Sequence, residues 1–322
     1  MNIQRWMGRR ESSWKRLDAL LTQIETLGLK SLQAQEIREL SSLYRSVSAD
    51  LARARTHQVG EVVVQDLQAL TSRAYNQIYQ GSQRQNWQAV LTFYRWGFPA
   101  TVQRNWAYTA IATSIFLLGA LIAWWFSWRD PSFLALIAPP DLIEMVRDRG
   151  ELWMGSILGT EPKASSEIMT NNLRVSFNVI AGGITAGIFT VYVLFLNGIL
   201  IGAIATLVGQ NNLAYPFWAF VCPHGSLELP AIFLAGGAGL LIARALLFPG
   251  RFRRVDALKF YGGQAAELIY GIIPMLAIAG VIEGFFSPSP VIPDALKYLT
   301  GLILFALLIT YCLRRQPLLK NE

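Results

Sequence analysis

His224 and Glu228 stand four residues apart in Pro223-His224-Gly225-Ser226-Leu227-Glu228-Leu229-Pro230, between runs apolar enough to lie in a membrane. On a helix that spacing puts both side chains on one face. An imidazole and a carboxylate so placed can exchange a proton, hold a metal ion or bind a partner. Ionisable groups at membrane depth are costly and face a protein interior or a watery cavity, so they are functional candidates by default. Glu267 and Glu283, near opposite ends of a later apolar run, raise the same question. Two readings stand. In one, each carboxylate is structural and accepts hydrogen bonds from helix ends or from Asn171, Asn172 and Asn197. In the other, His224, Glu228 and Glu283 converge at the outer face as a proton, metal or partner site. The three-ligand spacing of catalytic zinc is absent, as are a Ser/His/Asp spacing, a phosphate loop and a nucleotide motif. No catalytic, cofactor-binding or metal-binding residue is therefore assigned, and no enzyme is expected.

The elements that must carry these groups are written in the composition. Charged residues make up 15% of the 322, against about 25% in ordinary soluble domains. Residues 1–105 hold 14 Lys/Arg and 8 Asp/Glu, whereas 175–243 hold no Lys or Arg and a single acid, Glu228. The first third reads as soluble and the remainder as bilayer-embedded. Met1–Arg16 contains no apolar core segment, so a cleaved leader is not expected. Cys222 and Cys312 sit in apolar contexts without CxxC or Cys/His spacing and read as separate buried thiols.

A hydrocarbon core of roughly 30 Å asks for about 20 apolar residues per helix. Trp106–Trp128 fits and ends in Trp124, Trp125 and Trp128, an interfacial belt. Leu173–Leu196 reads as a second span, separated at Asn197-Gly198 from a third that begins at Ile199. The third meets Gly209-Gln210-Asn211-Asn212 after about a dozen residues, so it is short, re-entrant or interrupted, resuming through Tyr215–Cys222. Leu229–Phe248, Gln264–Gly284 and Tyr298–Leu313 complete six. If the fourth span starts at Pro223, its amides favour an ionised Glu228 and Pro230 bends the helix. Gly183-x-x-x-Gly187, Gly198-x-x-x-Gly202 and Gly280-x-x-x-Gly284 allow close helix approach, within the chain or in a homo-oligomer.

Charge sets the direction. Arg251, Arg253, Arg254 and Lys259, with Arg314, Arg315 and Lys320 in the tail, belong inside by the positive-inside rule. Residues 129–167 carry four bases against seven acids and belong outside, with the proline-rich 285–297 segment. The expected protein is all-α: a polytopic membrane helix bundle of about six spans with an N-terminal soluble helical bundle. Its parts are a cytoplasmic helical domain over 1–105, a first transmembrane helix over 106–128, an acidic extracytoplasmic segment over 129–172, a transmembrane bundle over 173–313 and a basic cytoplasmic tail over 314–322.

Within the soluble third, Trp14, Leu17, Leu20, Leu21, Ile24 and Leu27 recur at helical spacing before Gly28. Ile37, Leu40, Leu43, Tyr44, Val47 and Leu51 form a second stripe, and Leu67, Leu70, Tyr75, Ile78 and Tyr79 a third. Gly28, Gly60 and Gly81 mark the ends. Arg38, Arg45, Arg53 and Arg55 decorate the second helix beside Glu36, Glu39 and Asp50. That face is either solvated and stitched by intrahelical pairs, or a basic surface for anionic lipid or an acidic partner. No stacking platform accompanies the charge, so nucleic acid is not an expected partner.

Glu39-Leu40-Ser41-Ser42-Leu43-Tyr44-Arg45 with Asp50-Leu51-Ala52-Arg53-Ala54-Arg55 resembles the stage II sporulation protein M family of bacterial integral membrane proteins. So do Asn171-Asn172 leading into a Gly-rich span, Asn197-Gly198, His224-Gly225 with Glu228-Leu229-Pro230, and Gly280-x-Ile282-Glu283-Gly284-Phe285. The resemblance covers nearly the whole chain. It implies a multi-pass inner-membrane protein, for which the charge pattern puts both termini in the cytoplasm. It also implies a non-enzymatic scaffold or assembly component of the cell envelope, without a cofactor. The founding member serves engulfment of the forespore by scaffolding wall-degrading partners. The roughly 100-residue soluble domain matches a second group, often encoded beside a MoxR-type ATPase, which implies protein partners in membrane and cytoplasm. On that reading His224, Glu228, Glu283, Asn197, Tyr44 and Arg45 form the candidate functional or partner sites. The alternative is a transporter or permease subunit with a buried His/Glu path.

Overall fold

The computed structural model describes residues 3–28, 31–80 and 87–315. Among them there are helices and turns and no strand. The chain divides into two compact units, Met1–Gln88 and Ala89–Glu322, so the stretch from 89 to 105, expected to belong to the soluble domain, is part of the second unit.

The first unit is built from α1 (Ile3–Leu27), α2 (Ala34–Thr56) and α3 (Glu61–Tyr75). The stripes read from the sequence bury Leu17, Leu20, Leu21 and Ile24 of α1 against Leu40 and Val47 of α2 and Leu67 of α3. α1 stops because Gly28 adopts φ +83°, a left-handed conformation open to glycine at little cost. Gly81 lies outside the described residues. The charged face of α2 is stitched mainly between helices rather than along one. The Arg16 fork donates to both oxygens of Glu39 at 3.0 and 2.8 Å. Arg73 of α3 reaches Glu25 and Asp18 of α1 at 2.6–3.0 Å. Asp50 is fully buried, and its Oδ2 accepts from Arg10 Nε at 2.7 Å and Trp14 Nε1 at 3.0 Å.

The second unit begins with two short helices, α4 (Trp87–Thr92) and α5 (Phe98–Arg104), and continues as α6 (Trp106–Arg129), α7 (Pro140–Arg147), α8 (Glu161–Ala181), α9 (Ile188–Gln210), α10 (Ala214–Leu247), α11 (Arg254–Val281) and α12 (Asp294–Cys312). Among the described residues, five helices are long and apolar enough to cross a membrane: α6, α9, α10, α12, and α11 extended to Phe286. The protein is a multi-pass membrane protein.

Glycines fix the directions of these passes. A Cβ on Gly198 would collide with the Phe116 carbonyl, and one on Gly202 with that of Ala120, so α6 and α9 touch backbone to backbone and run parallel. Gly236 faces Ala112 and Leu194, while Gly239 faces Val179 and Thr190, so α10 runs antiparallel to both. Because α6 and α9 point the same way, the chain must recross between them, and α8 makes that return. The 21 residues of α8 cover about 31 Å at 1.5 Å per residue, close to a bilayer core. α6, α8, α9, α10, α11 and α12 thus alternate in direction through the bundle, five of them long and apolar enough to cross a membrane.

This corrects three boundaries. The expected span Leu173–Leu196 straddles a tight turn over Gly182–Gly187, where Ala186 and Gly187 adopt φ +57° and +84° and Thr190 Oγ1 donates to Val179 O at 2.7 Å. Asn197-Gly198 is not a break but the middle of a continuous α9. The expected third span is neither re-entrant nor interrupted; 211–213 is the turn into α10, which runs unbroken from Ala214 through Tyr215–Cys222 to Leu247. Pro223 consequently lies inside a helix rather than at its first turn, which removes the amide-terminus stabilisation expected for Glu228. The three GxxxG faces are filled within the chain: Gly183 against Gly239, Gly198 and Gly202 against α6, Gly280 and Gly284 against Met169 and Ser165.

Gln103 Nε2 donates to the carbonyls of Cys312 and Arg314 at 2.7 and 2.8 Å, so both ends of the second unit share one end of the bundle. Arg244, at the foot of α10, donates to Tyr108 Oη, placing the basic loop at that same end. At the opposite end residues 130–160 fold into short turns and α7, burying Leu134, Val146, Met154 and Ile157 against Leu207, Phe217 and Phe220. The acidic segment read as 129–172 thus ends at Glu161, where α8 begins.

Candidate functional site

α10 holds His224 and Glu228 one turn apart on the side that meets α8 and α11. The helix runs on through two internal prolines, Pro223 and Pro230, which an enclosed membrane helix tolerates. α11 ends in a π turn over Ile282–Phe286 that carries Glu283 and hands the chain to Ser287. Such turns widen a helix by one residue per turn and recur at functional sites.

Three helices thereby converge. His224 is 5% exposed, its ring edge-on to Phe220 at 5.2 Å, with Nδ1 3.1 Å from the fully buried Ser287 Oγ. Nε2 stands 3.8 Å from Glu283 Oε1. Glu228 joins them, with one ligand atom from each of the three side chains lying within 4.8 Å of the others. From α8, the Asn172 side chain faces Glu228. One oxygen of each carboxylate, Oε2 of Glu228 and Oε2 of Glu283, is buried with no hydrogen-bond partner. Among the described residues no Lys or Arg lies within ion-pair distance of either carboxylate; the nearest basic group is the imidazole itself. Two carboxyls facing each other in a low-dielectric interior repel when ionised, so the cluster needs a proton or a cation between them.

The Ser287–His224–Glu283 sequence of contacts does not make a nucleophile relay. Ser287 is sealed from any substrate, and 3.8 Å exceeds hydrogen-bond reach.

The other sequence candidates lie elsewhere. Asn197 donates to Val193 O at 2.8 Å within α9 and does not enter the cluster. Glu267 accepts from Arg104 at 2.9 Å and from Thr101, far along α11 from Glu283. Tyr44 packs half-buried on the core of the first unit, and Arg45 is exposed beside it. Ser287 was not legible, because nothing in its Pro-flanked context marks it as buried. A second feature was also missed. Lys163, Glu167, Thr170, Asn171, Arg174 and Asn178 are all exposed along the outward face of α8, at steps of three, four and one residues. The signal was present as helical spacing of polar residues, with Arg174 inside the supposed apolar run.

The sequence profile described as stage II sporulation protein M matches residues 112–288, more than half the chain and every residue of the cluster. A profile described only as a domain of unknown function matches residues 4–80, in the first unit. Two uncharacterised proteins of Methanocaldococcus jannaschii are similar: one is 36% identical over 76 residues, covering 23% of this chain and 43% of the relative. The other is 28% identical over 121 residues, covering 36% of this chain and 52% of the relative. The chain thus spans about half the length of these relatives. No solved structure matches. The profile match, laid over α6 to the end of the π turn in α11, makes this chain a member of the stage II sporulation protein M family.

Proposed function

We propose that this protein is a membrane scaffold that recruits partner proteins, one class through the outward face of α8 and another through the first unit. The outward polar stripe of α8 is the observation that carries this reading. Arg174 lies seven residues, about 10 Å, from the end of a membrane-crossing helix, and Asn171 lies deeper still. A charge at that depth costs about 2.5–3.5 kcal/mol on insertion scales and is rarely left facing lipid. A partner's transmembrane helix bearing carboxylate or amide groups at matching depth would cover it. The first unit, with its own core and an exposed Arg38 and Arg45, supplies a docking module that we assign to the cytoplasm. A soluble ATPase is the partner class that the family resemblance suggests.

The test is site-specific photocrosslinking in cells, with the crosslinker at Asn171 and, as control, at Leu118 on the exposed apolar face of α6. The scaffold reading expects a discrete protein adduct at 171 and none at 118. Lipid adducts alone at both positions would overturn it.

A transporter subunit is the second reading, favoured by the buried carboxylates beside Asn172. It expects Glu283→Gln to abolish flux of a solute while partner adducts at 171 persist.

A further inference from the structure

We infer that His224, Glu228 and Glu283 bind one divalent cation of the zinc type, with Ser287 and Asn172 orienting the ligands. This stands apart from the scaffold reading and uses none of its residues.

The donors come from three different chain positions that only the fold unites: i and i+4 on α10 and the π turn of α11. One imidazole nitrogen and two carboxylates suit zinc-like ions, which accept N and O ligands and keep a fourth position for water. The charges match. A neutral imidazole with two ionised carboxylates carries two negative charges, and a divalent cation cancels both where no Lys or Arg does. The tautomer is arranged as well. Nδ1 faces Ser287 Oγ at 3.1 Å, so Nδ1–H can donate there and leave the Nε2 lone pair aimed at Glu283. Metal-binding histidines are commonly oriented by such a second hydrogen bond. Asn172 of α8 faces Glu228 and is placed to orient it. The two unpartnered buried oxygens, on Glu228 and Glu283, are the atoms that a cation would satisfy. Tetrahedral zinc holds its ligand atoms about 3.4 Å apart, given bonds near 2.1 Å. The present separations, up to 4.8 Å, must close to that distance when the ion binds.

A shared proton between the carboxylates is the competing state, and the two differ in stoichiometric metal uptake. The full chain, purified in detergent without a histidine tag and stripped with chelator, should be titrated with Zn²⁺ by calorimetry and with Co²⁺ by visible absorption. One ion per chain is expected, with Co²⁺ bands of a four- or five-coordinate N/O site. Glu283→Gln and His224→Ala should each weaken Zn²⁺ binding at least about 100-fold. Ser287→Ala, a change to a positioning residue, should weaken it about 10-fold. His57→Ala, which removes the other histidine, and Cys222→Ser with Cys312→Ser should leave it unchanged. If His224→Ala fails to fold, near-isosteric Glu283→Gln and the Co²⁺ spectrum still decide. Absence of stoichiometric uptake, or uptake undiminished in Glu283→Gln, overturns the site.

Discussion

The carbonyl oxygen of Phe116 occupies the place where a side chain on Gly198 would begin, and Ala120 stands in the same relation to Gly202. This backbone-to-backbone seam locks α6 and α9 in parallel and so forces α8 to recross the bundle. Gly198→Ala puts a methyl group against main chain, which cannot rotate away as a side-chain tip would. It should cost at least about 1–3 kcal/mol of stability and lower folded yield in detergent. Gly262→Ala, which meets no atom within 4 Å, is the control and should be neutral or slightly stabilising. Equal yields for the two would show that the seam is not close-packed.

Asp50 ties α1 to α2 from a fully buried position, and its removal strands the Arg10 guanidinium and the Trp14 N–H. Asp50→Ala should therefore destabilise the first unit by roughly 2–3 kcal/mol, somewhat below a fully buried pair because Arg10 keeps partial access to water. Hydrogen exchange of the full chain should accelerate at amides of α1 and α2 and not in α9 or α10. Arg45→Ala, at an exposed position on the same helix, should leave exchange as it was.

What the sequence revealed and what it concealed divide along physical lines. α6 was readable because a uniform apolar run ends in a Trp belt, and the first-unit stripes because period 3.6 survives in a soluble bundle. The pairing of His224 with Glu228 followed from their spacing, and Glu283 joined them by depth. The turn at Gly182–Gly187 was concealed because apolar residues continue on both sides of it, so hydropathy registers no edge between α8 and α9. α8 itself was hidden for the opposite reason. Protein shelters its inner face, so it tolerates Asn172 and Ser176 there, and with Arg174 on its outward face it fails a test built for lipid-facing helices. The prolines of α10 read as helix boundaries for a residue in water, but in an enclosed pass they are interior residues.

A pH effect follows from Arg16. Its fork onto Glu39 holds that carboxyl below the ordinary glutamate range, chiefly through the side-chain hydrogen bond. With the folded value depressed, the contribution is present above the unfolded value, about pH 4.3, and is lost as pH falls through the folded one. Carboxyl ¹³C titration should find Glu39 ionising at lower pH than a free glutamate. Arg16→Met should return it toward the ordinary range. An unchanged midpoint in Arg16→Met would remove Arg16 as the cause.

Six alternating passes predict which loops share a compartment. The turn holding Ser156 lies at the end of the bundle opposite the loop holding Arg251, because α6 and α9 run toward the first and α10 returns to the second. Both positions are exposed, so single cysteines placed there report solvent directly once Cys222 and Cys312 are replaced by serine. In intact cells an impermeant thiol reagent should label a cysteine at 156 and spare one at 251, which should react only after the membrane is opened. The assignment of sides rests on the bases of the 251–259 loop, since cytoplasmic loops accumulate Lys and Arg. Labelling of 251 with protection of 156 would keep the six passes and reverse their orientation. Labelling of both from outside would mean that α8 does not recross, and the parallel pairing of α6 with α9 would then have to be abandoned.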